Sequence, residues 1–304
     1  SPLRSSLDSS GLLGERAGAA LKNLPSSVYW SMLQRYGILS HPASRPEALS
    51  ASAPTRTVDD DGHTTLSTIW SVPKRPEEFP ESIPGGFALT RDEAAWLRDR
   101  VLEHANGSLL AHLVQHAPDP KSTEPWLDEA ARSAPERART VLRQGDDFSA
   151  VMHGAQLLYN YLLSVDADAL TSSDESRRER YRGRIESWAQ TITPRAREWE
   201  LSSLLDVLRF ERTAPPTIPP ATREFITTWS GLLRRNDPLD LINDDEAHAL
   251  IRRRERIAKG AKARLGNPRR LDTWGGASGS SRLTFRWATV QGIVHDIHEG
   301  LQRA

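Results

Sequence analysis

The chain of 304 residues and 33.9 kDa balances 40 Lys and Arg against 40 Asp and Glu, with 38% hydrophobic and 26% charged residues and a mean hydropathy of -0.55. That length supports one large domain or two smaller ones with buried cores, and no apolar run approaches the roughly 18 residues that a membrane-spanning helix needs. With no cysteine there is no thiol nucleophile, cysteine-bound zinc, iron–sulfur cluster or disulfide; any chemistry must come from His, carboxylate, Ser or Lys, no cofactor is called for, and a cytoplasmic location is expected.

The opening SPLRSSLDSSGLLGER, with Ser at five of its first ten positions, reads as a linker or a trimmed end. Leu13, Ala17, Ala20, Leu21 and Leu24 then keep a helical spacing that Pro25 stops. A short aromatic helix with Val28, Trp30, Met32, Leu33 and Tyr36 follows, ended by Gly37. From Pro42 to Gly86 the pattern dissolves into Pro, Ser, Asp and Thr, and predicts a long irregular loop packed by Leu66, Ile69, Trp70 and Val72. Thr90 with Glu93 three residues later is a capping box, opening a helix to about Ala105 whose stripe is Ala94, Leu97, Val101 and Leu102. Asn106-Gly107-Ser108 breaks it, and Leu109, Leu110, Leu113 and Val114 form the next helix, closed by Pro118 and Pro120.

Further along, one helix is predicted from Pro135 to about Gln144 and a separate one through Phe148, Val151, Met152, Ala155, Leu158, Tyr159, Leu162 and Leu163. The second has the widest apolar arc of the chain and should be central. Residues 172–192 are dense in Arg and Glu, with a narrow stripe of Tyr181, Ile185, Trp188 and Ile192, and should pack outside. Helices at 196–210, around Phe225–Leu233, from Asp244 through Ile257, and from Phe285 to Leu301 complete the pattern. Asp146-Asp147 and Asp244-Asp245 are expected at helix starts, where the dipole favours acids. The predicted fold class is all-α, a multi-helix bundle-like body with a long irregular loop. Residues 1–86 are read as N-terminal helices and loop, and 87–304 as the main helical domain with a basic C-terminal region.

The stretches PSSVYWSMLQRYGI (25–38), GSLLAHL (107–113), FSAVMHGAQLLYNYLL (148–163) and, above all, RRRERIAKGAKARLGNPRRLDTWGGASGSSRLTFRW (252–287) resemble a bacterial family numbered six-three-six-one among the domains of unknown function. Members carry a further segment before the PSSxYW motif. They are associated with anti-phage defence and DNA-modification gene clusters, beside helicases and phospholipase-D-like nucleases. The resemblance implies that context and those kinds of partner, and assigns no catalytic residue.

Charge distribution is the strongest functional signal. Residues 251–287 hold Arg252, Arg253, Arg254, Arg256, Lys259, Lys262, Arg264, Arg269, Arg270, Arg282 and Arg286 against Glu255 and Asp272, a net +9 that leaves -9 on the remainder. Such a patch fits phosphate, with Arg252, Arg256 and Lys259 on one helical face. It fits equally a helix whose bases pair with acids elsewhere in the chain. Trp274-Gly275-Gly276-Ala277-Ser278-Gly279-Ser280-Ser281-Arg282 has the small residues of a backbone anion cradle around Gly276 and Gly279, but also of a plain connector. Trp274 is the one tryptophan placed to stack on a base.

Among nine histidines, His112 and His116 at i, i+4, and His295 with His298, could each face a metal. Neither pair has a placed third ligand, so no metal site is expected, and His153 in the apolar helix reads as a satisfied core residue. The function expected is a non-enzymatic subunit or adaptor of a bacterial anti-phage system that contacts nucleic acid, DNA before RNA, through the basic region, with a helicase or nuclease as partner and no membrane. The alternatives are an enzyme acting on nucleic acid or nucleotide, at the glycine-rich loop and His295/His298, and a protein-binding scaffold.

Overall fold

A computed structural model describes residues 25–39, 55–58, 64–67, 69–73, 88–171, 175–192, 194–210 and 218–303. The helix predicted over Leu13–Leu24 lies outside them. The described helices are α1 (Pro25–Arg35), α2 (Arg91–His104), α3 (Leu109–Leu113), α4 (Glu129–Arg132), α5 (Glu136–Thr171), α6 (Glu175–Thr191), α7 (Pro194–Glu198), α8 (Leu201–Phe210), α9 (Pro220–Arg235), α10 (Asp245–Lys259), α11 (Pro268–Leu271) and α12 (Trp287–Gln302), with single turns of tighter helix at Asp240–Ile242 and Gly260–Lys262. The fold is all-α in its body. Within the stretch read as irregular, a short antiparallel pair, β1 (Thr55–Val58) with β2 (Thr64–Ser67), appears instead of loop, Thr55 opposite Ser67. Its β-branched Thr and Val residues suit strands.

The chain groups into two compact units. One comprises residues 1–122, 128–135 and 288–304, the other 123–127 and 136–287. Helices α1, α2, α3 and α4 and most of α12 fall in the first unit.

The first unit is built on the expected capping box: the Thr90 hydroxyl accepts from the Glu93 amide at 3.3 Å while the Glu93 carboxylate accepts from the Thr90 amide at 2.9 Å. Gly107, at φ 76°, makes the turn into α3, whose first turn the Ser108 hydroxyl caps through the Ala111 amide. Val101, Ala105, Ala111, Val114 and Ile297 form its core. Gly300 of α12 lies so near Ala94 that a Cβ there would stand 2.7 Å from the alanine's own, so glycine sets the approach of α12 to α2.

The second unit surrounds α5. This 36-residue helix replaces the two predicted helices, running unbroken through Gln144-Gly145-Asp146-Asp147. The acids are therefore mid-helix, not at a start. Asp146 is paired with Arg282 at 2.6 Å, which offsets its position, and Asp147 is only 3% exposed. Gly145 has its own reason: the Phe285 ring would stand 3.3 Å from a Cβ there. Tyr181, Ile185 and Trp188 of α6, Trp229, Leu232 and Leu233 of α9, and Ile251 of α10 cover α5 along Val151, Leu157, Leu158 and Leu163. The indoles of Trp188 and Trp229 donate to the carbonyls of Ala150 and Val151, each at 2.8 Å. Gly154 admits the first of them, since a Cβ would meet the Trp188 ring at 2.2 Å. The helix predicted over 196–210 is split into α7 and α8 at Trp199-Glu200.

Candidate nucleic-acid interface

Asp244 caps α10 by accepting from the Ala247 amide at 2.7 Å, and the helix runs to Lys259, where Gly260 at φ 51° ends it. The predicted basic face is thus three residues long, and two of the three are committed inside the protein. Arg252 grips Asp166 of α5 through both terminal nitrogens at 3.1 Å. Lys259 reaches Glu255 at 3.1 Å and the Tyr159 hydroxyl at 2.6 Å. Arg253 pairs with Glu224 at 2.9 Å, Arg264 donates to the Ser278 hydroxyl at 3.1 Å, and Arg282 pairs with Asp146 and Glu124 while lying 4.6 Å over the Trp126 ring. Carboxylates of the chain itself neutralise four of the eleven cations counted from sequence, Arg252, Arg253, Lys259 and Arg282.

Glu255 organises this region. Its side chain is 2% exposed and accepts from the Tyr159 hydroxyl at 2.5 Å, from Lys259, and from the amides of Arg264 at 3.0 Å and Leu265 at 2.9 Å. Burial pushes its carboxyl up, but those donors outweigh burial and hold it below the ordinary value. Tyr159 goes the other way, raised by burial and then by its bond to the Glu255 carboxylate.

What remains outward is a shorter set. Arg256, Lys262, Arg269, Arg270 and Arg286 are exposed and have no ion pair among the described residues. Four of them fall between residues 256 and 271, a stretch with six Lys and Arg and no acid: the end of α10, the tight turn after it, and α11. Arg286 stands apart at the start of α12, in a left-handed conformation at φ 60° beside Phe285 at φ 52°.

The glycine-rich segment is fastened, not slack. Ser278 exchanges both backbone groups with the Asn160 amide, its N–H donating at 2.7 Å and its carbonyl accepting at 2.9 Å. The Gly276 carbonyl accepts from the Tyr181 hydroxyl at 2.7 Å and from Arg180 at 3.2 Å; the Ser280 carbonyl accepts from Arg184 at 2.5 Å and meets His153 Nε2 at 3.2 Å. Gly276 and Gly279 hold φ of 84° and 58°, the left-handed region that glycine enters without penalty. Held mostly by its carbonyls, the loop keeps its amides from Gly275 to Ala277 and from Gly279 to Ser281 without an acceptor among the described residues. Arg180 and Arg184 of α6 went unnoticed in the sequence because they looked like part of a solvated face.

Trp274 is not the exposed stacking platform that its sequence setting suggests. It is 5% exposed and belongs to the core around α5, 6.4 Å from the Tyr181 ring, so no base can stack on it as the chain is folded.

Beside this loop, a cavity of about 450 Å³ is lined by Asp146, Asp147, His153, Arg184, Trp188 and Arg282 among others. Burial lowers the His153 pKa, keeping the ring neutral near pH 7. The Arg282 Nε is buried with no acceptor among the described residues.

In the first unit the rings of His112 and His116 stack at 4.2 Å, and burial followed by the neighbouring His116 lowers the His112 pKa. His298 Nε2 lies 3.0 Å from the Leu113 carbonyl. No group of three or more His, Asp or Glu that could hold a metal occurs among the described residues. His295 and His298 belong to the first unit and the glycine-rich loop to the second.

A family profile described as Family of unknown function (DUF6361) matches residues 3–299. No curated protein matches the chain, and no solved structure does. Among the described residues no helix is long and apolar enough to cross a membrane.

Proposed function

The chain belongs to the DUF6361 family, and from that premise we propose that it is a non-enzymatic subunit of a bacterial anti-phage system that holds nucleic acid, DNA in the first instance, at the end of α10, the turn after it, and α11. The observation that carries this is the acid-free run from 256 to 271, in which Arg256, Lys262, Arg269 and Arg270 stay exposed after the other cations have found internal partners. Cations left in water and clear of acids gain most from releasing phosphate counterions, whereas paired ones must first give up a carboxylate. Arg252, Arg253, Lys259, Arg264 and Arg282 therefore act as braces of the surface rather than as its contacts. The free amides around Gly276 and Gly279 supply a second place for a phosphate oxygen. A helicase or nuclease is the partner that this reading names.

The test is fluorescence anisotropy of a labelled duplex at low salt, with the parent and with Arg256, Lys262, Arg269 and Arg270 changed to Gln. Loss of binding in the variant at unchanged thermal stability supports the reading; equal binding removes it. Co-purification of a tagged chain tests the partner.

A second reading, an enzyme acting on nucleotides, draws on one feature: the cavity with neutral His153 beside Arg184 and Arg282. Nucleotide turnover that His153→Ala abolishes, in a variant that stays folded, would favour it.

A further inference from the structure

Helix α6 carries two guanidinium groups that no carboxylate among the described residues neutralises. Its ion pairs there are those of Arg178 with Asp168 and of Arg182 with Glu186. Arg180 and Arg184, four positions apart and so on one face of the helix, bond only to neutral oxygens of the glycine-rich segment. Arg180 donates to the Gly276 carbonyl at 3.2 Å, and Arg184 to the Ser280 carbonyl at 2.5 Å and the Ser280 hydroxyl at 3.2 Å. Both also lie over the Tyr181 ring, at 5.3 and 5.5 Å, whose hydroxyl holds the same segment. A carbonyl orients a guanidinium without cancelling its charge, so these two keep the positive charge that Arg252 loses to Asp166. Glu179 precedes Arg180 but stands about 100° around the helix from it.

The segment these arginines hold turns the other edge of its peptides to water. The carbonyls of Gly276, Ser278 and Ser280 accept from Tyr181 and Arg180, from Asn160, and from Arg184, all on α5 and α6. In a planar trans peptide the N–H points opposite to the C=O, so the amides that follow, of Ala277, Gly279 and Ser281, are aimed away from those helices. All three residues are exposed, and none of the three amides has an acceptor among the described residues. One carbonyl, that of Ala277, faces the same way, because the Ser278 N–H is turned inward to Asn160. Three donors at every second residue, at most about 7 Å between neighbours, suit a chain of phosphates better than one small ion. The segment also adjoins the exposed run. Arg264, within 256–271, donates to the Ser278 hydroxyl at 3.1 Å, and from Arg256 to Trp287 the only acid is Asp272.

We propose that nucleic acid bound on the exposed run extends over this segment to α6, its phosphates meeting the outward amides and Arg180, with the charge of half-buried Arg184 supporting them from behind the loop. The proposal rests on the polyanion reading above and lengthens its footprint onto a helix outside the basic region. Its test is the salt dependence of binding to a labelled duplex, with the parent, the pair Arg180→Gln and Arg184→Gln, the pair Arg180→Lys and Arg184→Lys, and the run with Arg256, Lys262, Arg269 and Arg270 changed to Gln. The Gln pair should lower the slope of log affinity against log salt by about 1–2, near 0.9 for each phosphate contact. The Lys pair gives up the same planar fastening but keeps the charge, and should keep the parent's slope. Arg180 is exposed, so Arg180→Gln alone should stay folded and lower the slope by about 1. A parental slope in the Gln pair, or an equal fall in the Gln and Lys pairs, overturns the extension, while a fall in the four-residue variant keeps the reading of the run. If the parent itself binds no duplex even at low salt, both fall.

Discussion

Truncating Trp274 separates a core residue from a stacking platform. The indole is 5% exposed against the core around α5, Tyr181 lies 6.4 Å away, and its N–H has no acceptor among the described residues. Removing a buried indole takes away the area it covers and leaves a cavity, together about 3–5 kcal/mol. In a body of roughly 150–250 residues each kcal/mol moves the midpoint by about 2–4 °C, so Trp274→Ala should unfold about 6–20 °C below the parent. Trp274→Phe keeps most of the apolar volume and deletes the unpartnered N–H, so it should fall by much less. Circular dichroism melts of both variants give the midpoints, and binding of a single-stranded oligonucleotide well below the lower one gives the affinity. The reasoning is refuted if Trp274→Ala melts within about 2 °C of the parent and yet loses the 1–3 kcal/mol that stacking one base contributes.

Three further outcomes follow from particular contacts. Gly154→Ala places a methyl 2.2 Å from the Trp188 ring and should cost about 1–3 kcal/mol, whereas Gly183→Ala, with nothing within 4 Å, should be neutral or stabilising; equal urea midpoints for the two would contradict the packing. Glu255→Gln weakens a charged acceptor that serves four donors and should lower stability by about 1.5–3 kcal/mol in chemical denaturation, while a change below about 0.5 kcal/mol would mean that the cluster carries no weight. Burial holds the folded His153 pKa down, so the unfolded chain takes up that proton first. Its effect is absent above about pH 6.5, and stability falls as pH drops from there toward the folded value; His153→Gln should shrink the loss between about pH 7.5 and 5.5, and an equal loss in parent and variant would contradict this.

Local grammar made much of the fold legible. The Thr90/Glu93 box, the Asp244 cap, the stops at Gly37 and Gly107 and the buried stripes of α5 and α6 each depend on residues within a turn or two of one another, which is the range over which helical spacing carries information. What escaped depends on contacts across the sequence. Gly145-Asp146-Asp147 looked like a break because nothing nearby says that Arg282, 136 positions on, neutralises Asp146. Likewise the basic face of α10 could be counted but not sorted: Asp166 lies 86 positions from Arg252, and Glu224 is 29 from Arg253. Arg180 and Arg184 reached the loop 96 positions away while spaced like surface residues. Trp274 sat between charges and glycines, a setting that suggested exposure, and tertiary packing decided otherwise.

The measurement that bears most directly on the account is the salt dependence of duplex binding for two variant sets of equal charge change. Neutralising Arg256, Lys262, Arg269 and Arg270 removes four exposed cations, and at about 0.9 per phosphate contact the slope of log affinity against log salt should fall by about 3–4. Neutralising Arg252, Arg253, Lys259 and Arg282, the four held by carboxylates, should change the slope by less than about 1 in molecules that remain folded, although thermal stability drops. A larger fall in slope from the carboxylate-held set than from the exposed set, or no fall from either, would contradict the assignment of the exposed run as the nucleic-acid surface.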